Sequence, residues 1–370
     1  MNLIDTFSDP VLTRPLIERV NGLATRLSPR TIRLMEVCGS HTMAFFRSGV
    51  RGILPPNVKL LSGPGCPVCV TPARELDTMI AFAEVPGVTV ATFGDMLRVP
   101  GSRGSLQDAR ARGADVRVVY SPMDALGIAE QEPAASVVFL GVGFETTAPG
   151  IGATVLEAAR RDLRNFHVYV THKLVPPALK ALVSGAETRI DSFILPGHVS
   201  TVIGSDAYAF LAREHGIPSV VAGFLPTDLL DAVATCLELI HQGKAEIRNQ
   251  YARFVRPEGN EAALRVLDKA FAVCDAEWRG FGLIPASGLR LSPGLSRFDA
   301  LERFAVEVPE PREVPGCLCG EVLRGIVEPE ECKLFGAACT PEAPIGPCMV
   351  SSEGACAAHY KYRRHRSPLG

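Results

Sequence analysis

From Thr31 to about Phe224, short runs of β-branched and apolar residues alternate with Gly-, Pro- and Ser-containing loops and then with amphipathic stretches. Parallel βαβ units impose this rhythm, because a strand covered on both faces is apolar throughout whereas a covering helix is apolar on one side. The pattern predicts eight strands, at Thr31–Val37, Val58–Leu61, Val88–Phe93, Val116–Tyr120, Ser136–Gly141, His167–Thr171, Ile190–Leu195 and Ser219–Ala222. Eight strands fit two four-stranded sheets or one large one. The acidic, Pro-containing stretch from Glu130 to Pro133 precedes a fresh strand-loop-helix series and reads as a boundary. The expected architecture is therefore α/β, with two lobes over 1–132 and 133–308. Helical patterns at Asp228–Gln242 and Glu261–Val273 extend the second lobe, and a less regular stretch with Gly280, Gly282, Gly288 and Gly294 follows. No repeat relates the two lobes in sequence.

After about Pro309 the apolar periodicity fades and Pro and Gly rise. Six of the eleven Cys fall between Cys317 and Cys356. Such a segment, 309–370, builds little hydrophobic core alone, so a metal is the simplest thing to hold it. Composition narrows the function further. The 38 Lys and Arg nearly balance 40 Asp and Glu, for a net charge of −2, which argues against nucleic acid as a partner. The basic run Lys361–Arg366 at the end of the chain reads as a solvated tail. The first residues lack the basic-then-apolar pattern of a secretory signal, and no apolar run is long enough to span a bilayer. A cytoplasmic protein without membrane association is expected, and eleven Cys in a reducing compartment favour metal ligation or thiol redox chemistry over structural disulfides.

Two motifs sit where strands are expected to end. Cys38-Gly39-Ser40-His41-Thr42 follows the first strand, and ligands of open parallel sheets are handled at such carboxyl ends. A helix starting near Thr42 lowers the pKa of a thiol at its N-terminus, and His41 is placed to accept its proton or to ligate the same metal. The plainer alternative is that Cys38 is a small buried hydrophobe. Gly63-Pro64-Gly65-Cys66-Pro67-Val68-Cys69-Val70-Thr71-Pro72 also follows a strand and precedes a helical stretch from Pro72 to Glu84. Its Cys-x-x-Cys pair can close a small disulfide ring or chelate a soft metal, and with Cys38 and His41 it can also make a Cys3His zinc site.

Further polar groups follow strands in the same way: Gly94-Asp95, Gly143-Phe144-Glu145-Thr146-Thr147, Thr171-His172-Lys173 and Pro196-Gly197-His198. Their placement suggests one shared cleft, with Glu145, His172 and His198 as acid-base or hydrogen-bonding candidates or as satisfied structural groups. Gly141-x-Gly143 lacks the third glycine of a dinucleotide loop. Among the C-terminal Cys, the wide spacing of Cys332, Cys339, Cys348 and Cys356 suits an iron-sulfur cluster that the chain wraps around, with Cys317 and Cys319 as a nearby thiol pair. Zinc on another four of the six is the alternative. Cys236 and Cys274 lie in apolar patterns read as helical and are expected in the core.

Taken together, Cys38-Gly-Ser-His-Thr, Gly63-Pro-Gly-Cys-Pro-Val-Cys-Val-Thr-Pro, Gly143-Phe-Glu-Thr-Thr-Ala-Pro, Gly197-His-Val and the stretch from Cys339 through Gly354-Ala-Cys356 resemble the HypD family of hydrogenase formation proteins over nearly the whole chain. The resemblance implies two Rossmann-like α/β lobes and a 4Fe-4S cluster in the C-terminal segment. It also implies a maturation factor for nickel-iron hydrogenase, a scaffold on which HypC and HypE assemble an Fe(CN)2CO fragment. On this resemblance Cys38 holds the iron jointly with a Cys of HypC, His41 lends close support, and Cys66 and Cys69 cycle between dithiol and disulfide. Two other classes compete on residues alone: an iron-sulfur-dependent thiol-disulfide oxidoreductase of the thioredoxin-reductase type, and a zinc-binding interaction module.

Overall fold

The computed structural model describes residues 10–185, 189–312 and 314–363. The start of the chain and the basic residues after 363 lie outside the described residues. Eleven strands are present: β1 (Ile32–Glu36), β2 (Val58–Ser62), β3 (Val88–Thr92), β4 (Asp115–Val118), β5 (Ser136–Gly141), β6 (Phe166–Val170), β7 (Ser192–Pro196), β8 (Ser219–Ala222), β9 (Ile247–Asn249), β10 (Phe271–Trp278) and β11 (Gly282–Leu291). The helices used below are α1 (Pro10–Leu27), α2 (Gly39–Arg47), α3 (Ala73–Ala83), α4 (Ala148–Arg160), α5 (Val175–Ser184), α6 (Pro226–Gln242), α7 (Glu261–Ala270) and α8 (Ala355–Arg363). No helix among the described residues is long and apolar enough to cross a membrane.

All eight strands expected from the apolar runs are present, in two separate parallel sheets. One has the order β2-β1-β7-β8-β9 and the other β4-β3-β5-β6. Their allocation corrects the expected division at 132/133, which falls inside the four-stranded sheet, between β4 and β5. The chain starts the five-stranded sheet, leaves after β2, builds the four-stranded sheet completely, and returns with β7. Pairing makes this possible: Leu34, Met35 and Glu36 of β1 register with Ser192, Phe193 and Ile194 of β7, more than 150 residues away in sequence.

Packing follows the apolar stripes. Val20 and Leu23 of α1 and Leu229, Val233 and Leu237 of α6 are buried with Ile32, Leu34 and Val220 on one face of the five-stranded sheet. Ile151 and Val155 of α4 cover Val137, Phe139 and Val168 of the other sheet. Two expectations fail beyond α7. The helix read to Val273 stops at Ala270, and the glycine-containing stretch after it is an antiparallel hairpin, β10–β11, with a bulge between Cys274 and Ala276. Cys274 consequently sits half-buried on a strand, whereas Cys236 is fully buried in α6 as expected.

The C-terminal segment is also less independent than its texture suggested. Cys319, Leu323, Phe335, Met349 and Val350 are buried in the same core as Val68, Val70 and Phe82, so apolar contact with the rest of the chain holds it in place.

Candidate functional site

The carboxyl ends of β1, β3, β5 and β7, and the loop after β2, converge on one cleft of about 340 Å³. Both sheets contribute: Cys38, Gly65, Pro67, Pro196 and His198 come from the five-stranded sheet, and Phe93, Asp95, Gly143, Phe144 and Thr147 from the four-stranded one. Glu353, from the C-terminal segment, closes the wall.

Cys38 caps the N-terminus of α2 in an extended conformation. Its thiol faces the backbone N–H groups of Ser40 and His41, which favour a thiolate, yet burial and then the nearby Glu353 carboxylate push it up to about 12. The expected lowering by the helix is thus outweighed, and the thiol keeps its proton at neutral pH. Below it, the buried Glu36 accepts from Thr42 Oγ1 at 2.6 Å and Ser62 Oγ at 2.9 Å, and burial raises it to about 8. Gly65 holds the two thiol loops together. A Cβ there would stand 2.2 Å from the backbone N of Cys38, and Gly39 N donates to Gly65 O at 2.9 Å.

His41 does not line the cleft. Its Nε2 lies 3.0 Å from Gly223 O and 3.2 Å from Ala222 O, so this nitrogen carries the hydrogen, and its ring stacks on Phe224 at 4.6 Å. Burial lowers its pKa to about 4. The structure turns it away from the thiol and makes it a neutral anchor between α2 and the end of β8. His198 stacks on the same Phe224, at 4.0 Å, and is exposed in the cleft. Glu145 is buried. Its Oε1 accepts from Val175 N at 2.9 Å, its Oε2 has no partner, and burial raises it to about 7. His172 is buried against Gly141 and Gly143, neither ring nitrogen has a hydrogen-bond partner, and burial followed by Lys173 lowers it to about 3. Lys173 itself pairs with Glu75 at 2.5 Å. Glu145 and His172 therefore lie behind the cleft wall, and of the three expected polar candidates only His198 lines it.

Cys66 caps the helical turn Pro67–Val70, and its sulfur accepts from Cys69 N at 3.3 Å. The Cys69 thiol is fully buried, in contact with those of Cys66 and Cys348, and burial raises it well above its ordinary value. Cys348, on the turn Pro347–Val350 that packs against Pro67–Val70, touches Cys69 on one side and Cys319 and Cys356 on the other. Cys319 also contacts Cys317, whose thiol is pushed up first by that contact and then by burial.

A small closed cavity beyond is lined by Cys317, Cys319, Cys332, Cys339 and Cys356, with Leu318, Val322, Leu334, Phe335 and Met349. Of the expected quartet, Cys332, Cys339 and Cys356 line this cavity, whereas Cys348 lies beside it with its thiol in contact with Cys319, Cys356 and Cys69. Five soft donors in an apolar wall, with no oxygen side chain among them, fit an iron-sulfur cluster on four of the five.

Glu353 is the site residue that the sequence did not reveal. It accepts from Ser40 Oγ and influences both Cys38 and His198. A lone acidic residue between Cys348 and Cys356 carries no spacing signal. Only the packing of the C-terminal segment against α2 brings it to the cleft.

The fold and site define a two-sheet α/β protein with a cysteine-bearing cleft and a sulfur-lined cavity behind it. A family model for HypD, described as the hydrogenase formation hypA family, matches residues 12–363. The chain is 47% identical over 377 residues to the hydrogenase maturation factor HypD of Azotobacter vinelandii, covering 100% of this chain and 99% of that one. It is 46% identical over 374 residues to HypD of Escherichia coli, covering 99% and 100% respectively. The chain belongs to the HypD family. Among solved structures, D-threo-3-hydroxyaspartate dehydratase from Delftia aligns over 84% of this chain and 90% of that one with a TM-score of 0.14 and 11% identity, too little to carry an argument.

Proposed function

We propose that this protein is a maturation factor for nickel-iron hydrogenase and the scaffold on which an Fe(CN)2CO fragment is assembled with HypC and HypE. The observation that carries the reading is the convergence of strand ends from both sheets on Cys38, with the Cys66–Cys69 turn leading from that cleft to a buried series of sulfurs. In this reading the iron fragment is the cargo. Cys38 holds it as a thiolate, since soft iron with strong-field ligands suits a sulfur donor. Binding requires loss of the Cys38 proton. The N–H groups of Ser40 and His41 stabilise the resulting anion, and the adjacent Glu353 carboxylate is placed to take the proton. His198 and Asp95 supply polar contacts along the wall, and the apolar Val142, Phe144 and Val199 limit water.

Four of Cys317, Cys319, Cys332, Cys339 and Cys356 would hold a 4Fe-4S cluster, which supplies one-electron chemistry when bound. Cys66 and Cys69 lie close enough to form a disulfide within one helical turn without moving a strand, so their oxidation is local and reversible.

The test is anaerobic co-purification with HypC followed by infrared spectroscopy, in wild type and Cys38→Ala. Bands of metal-bound cyanide and carbon monoxide are expected in wild type and lost in Cys38→Ala, while the visible absorbance of the C-terminal site survives. Cyanide bands retained in the variant would refute the role of Cys38. Iron without any such bands in wild type would favour a thiol-disulfide oxidoreductase, and a colourless zinc protein an interaction module.

A further inference from the structure

Among the described residues the hairpin β10–β11 lends nothing to the cleft lining, yet its tip lies between the two thiol centres. Trp278 anchors that tip: it is buried, its indole Nε1–H donates to Ser287 Oγ at 2.9 Å, and Phe281 meets it edge-on. From this anchor the backbone N–H of Arg279 donates to Val70 O at 2.8 Å and its Nε–H to Thr71 O at 3.1 Å. These two carbonyls close the turn that carries Cys66 and Cys69. On its other side the tip rests on the Cys317–Cys319 turn. A Cβ on Gly280, which has φ 82°, would stand 2.5 Å from Gly320 Cα, and Gly320 adjoins Cys319. Arg279 is only 8% exposed, so a permanently charged guanidinium is buried here, and Cys317 lies within its field.

We propose that Arg279 is a positioning residue that ties the Cys66–Cys69 turn to the Cys317–Cys319 turn and provides the positive charge that stabilises added negative charge on the sulfur-lined site. The inference rests on the reading that this cavity holds an iron-sulfur cluster. Reduction of such a site adds one electron, supplied in the test by dithionite, and hence one unit of negative charge. A cation fixed in poorly solvated surroundings beside the Cys317–Cys319 turn favours the reduced form and raises the midpoint potential. The backbone bond to Val70 O holds the residue at the turn and the Nε–H bond to Thr71 O fixes where the charge sits, which a flexible surface cation would not do.

The experiment is a dithionite titration of the anaerobic full-length protein, followed by visible absorbance and electron paramagnetic resonance. Wild type is compared with Arg279→Gln, Arg279→Lys and Gly280→Ala. Arg279→Gln is expected to shift the one-electron equilibrium about tenfold towards the oxidised form, a midpoint about 59 mV more negative. Arg279→Lys keeps the charge and stays close to wild type. Gly280→Ala lifts the tip off Gly320 and shifts the midpoint in the same direction by less. A wild-type protein without iron or visible absorbance overturns the cluster reading and this inference with it. With the cluster present, an unchanged midpoint in Arg279→Gln, or equal shifts in the Gln and Lys variants, overturns only the role given to Arg279. Should Arg279→Gln fail to fold, a wild-type midpoint in Gly280→Ala does the same.

Discussion

Replacing Glu145 by Gln should make the protein more stable at neutral and alkaline pH and leave it nearly unchanged at mildly acidic pH. The carboxyl is 2% exposed, only Oε1 has a partner, and among the described residues no cation offsets its burial, which raises its pKa from 4.5 to about 7. Between those values the native state keeps a proton that the unfolded chain has lost. Stability contributed by this group therefore falls as pH rises through the window, and the whole cost is present above about 7. At about 1.4 kcal/mol for each tenfold change in proton affinity, the span amounts to on the order of 3 kcal/mol. Gln mimics the protonated acid: it keeps the acceptor for Val175 N–H, and its amide N–H groups, like the acid O–H, take the place of the unpartnered Oε2 without a charge. The assay is urea unfolding of both proteins under anaerobic reducing conditions from pH 5 to 8. The difference in stability between variant and wild type is the quantity read, because the titrations common to both proteins cancel. It should be near zero at pH 5 and grow with pH, with 3 kcal/mol as its upper reach, since the unfolded chain also buries some surface. A difference that stays constant across that range would refute the buried, uncompensated carboxyl.

The cavity lining predicts that Cys339→Ala or Cys356→Ala lowers visible absorbance and iron content and loosens the C-terminal segment, whereas Cys348→Ala retains both; bleaching in Cys348→Ala would restore it to the ligand set. Gly65→Ala drives a Cβ into the Cys38 backbone at 2.2 Å, and should cost about 1–3 kcal/mol and displace Cys38, read as lost iron retention and a lower urea midpoint. Alkylation of the as-purified protein should reveal two extra reactive thiols after reduction in wild type and none in Cys69→Ser. If chelation rather than reduction releases them, the pair is locked on zinc and the redox reading falls.

Most of the strands predicted from Thr31 to Phe224 were legible because they are buried on both faces and read as continuous apolar runs whichever sheet receives them, while the edge strands β2 and β4 are partly exposed. The same property hid their allocation. Nothing local in β7 says that it pairs with β1 rather than continuing from β6, and that choice belongs to non-local packing. The hairpin β10–β11 escaped notice because its faces are half-exposed, and the amphipathic pattern of α7 runs on into β10. For the site, position just after a buried parallel strand was enough to bring Cys38 and His198 to the cleft, with Cys66 and Cys69 buried on the turn beside it. Tertiary structure alone decided that His41 turns to the carbonyls of Ala222 and Gly223, that Glu145 and His172 stand behind the wall, and that Glu353 enters it. It also decided which Cys line the cavity. Residue spacing along a loop does not specify which way each sulfur points, and here the turn Pro347–Val350, packed on Pro67–Val70, aims Cys348 at Cys69.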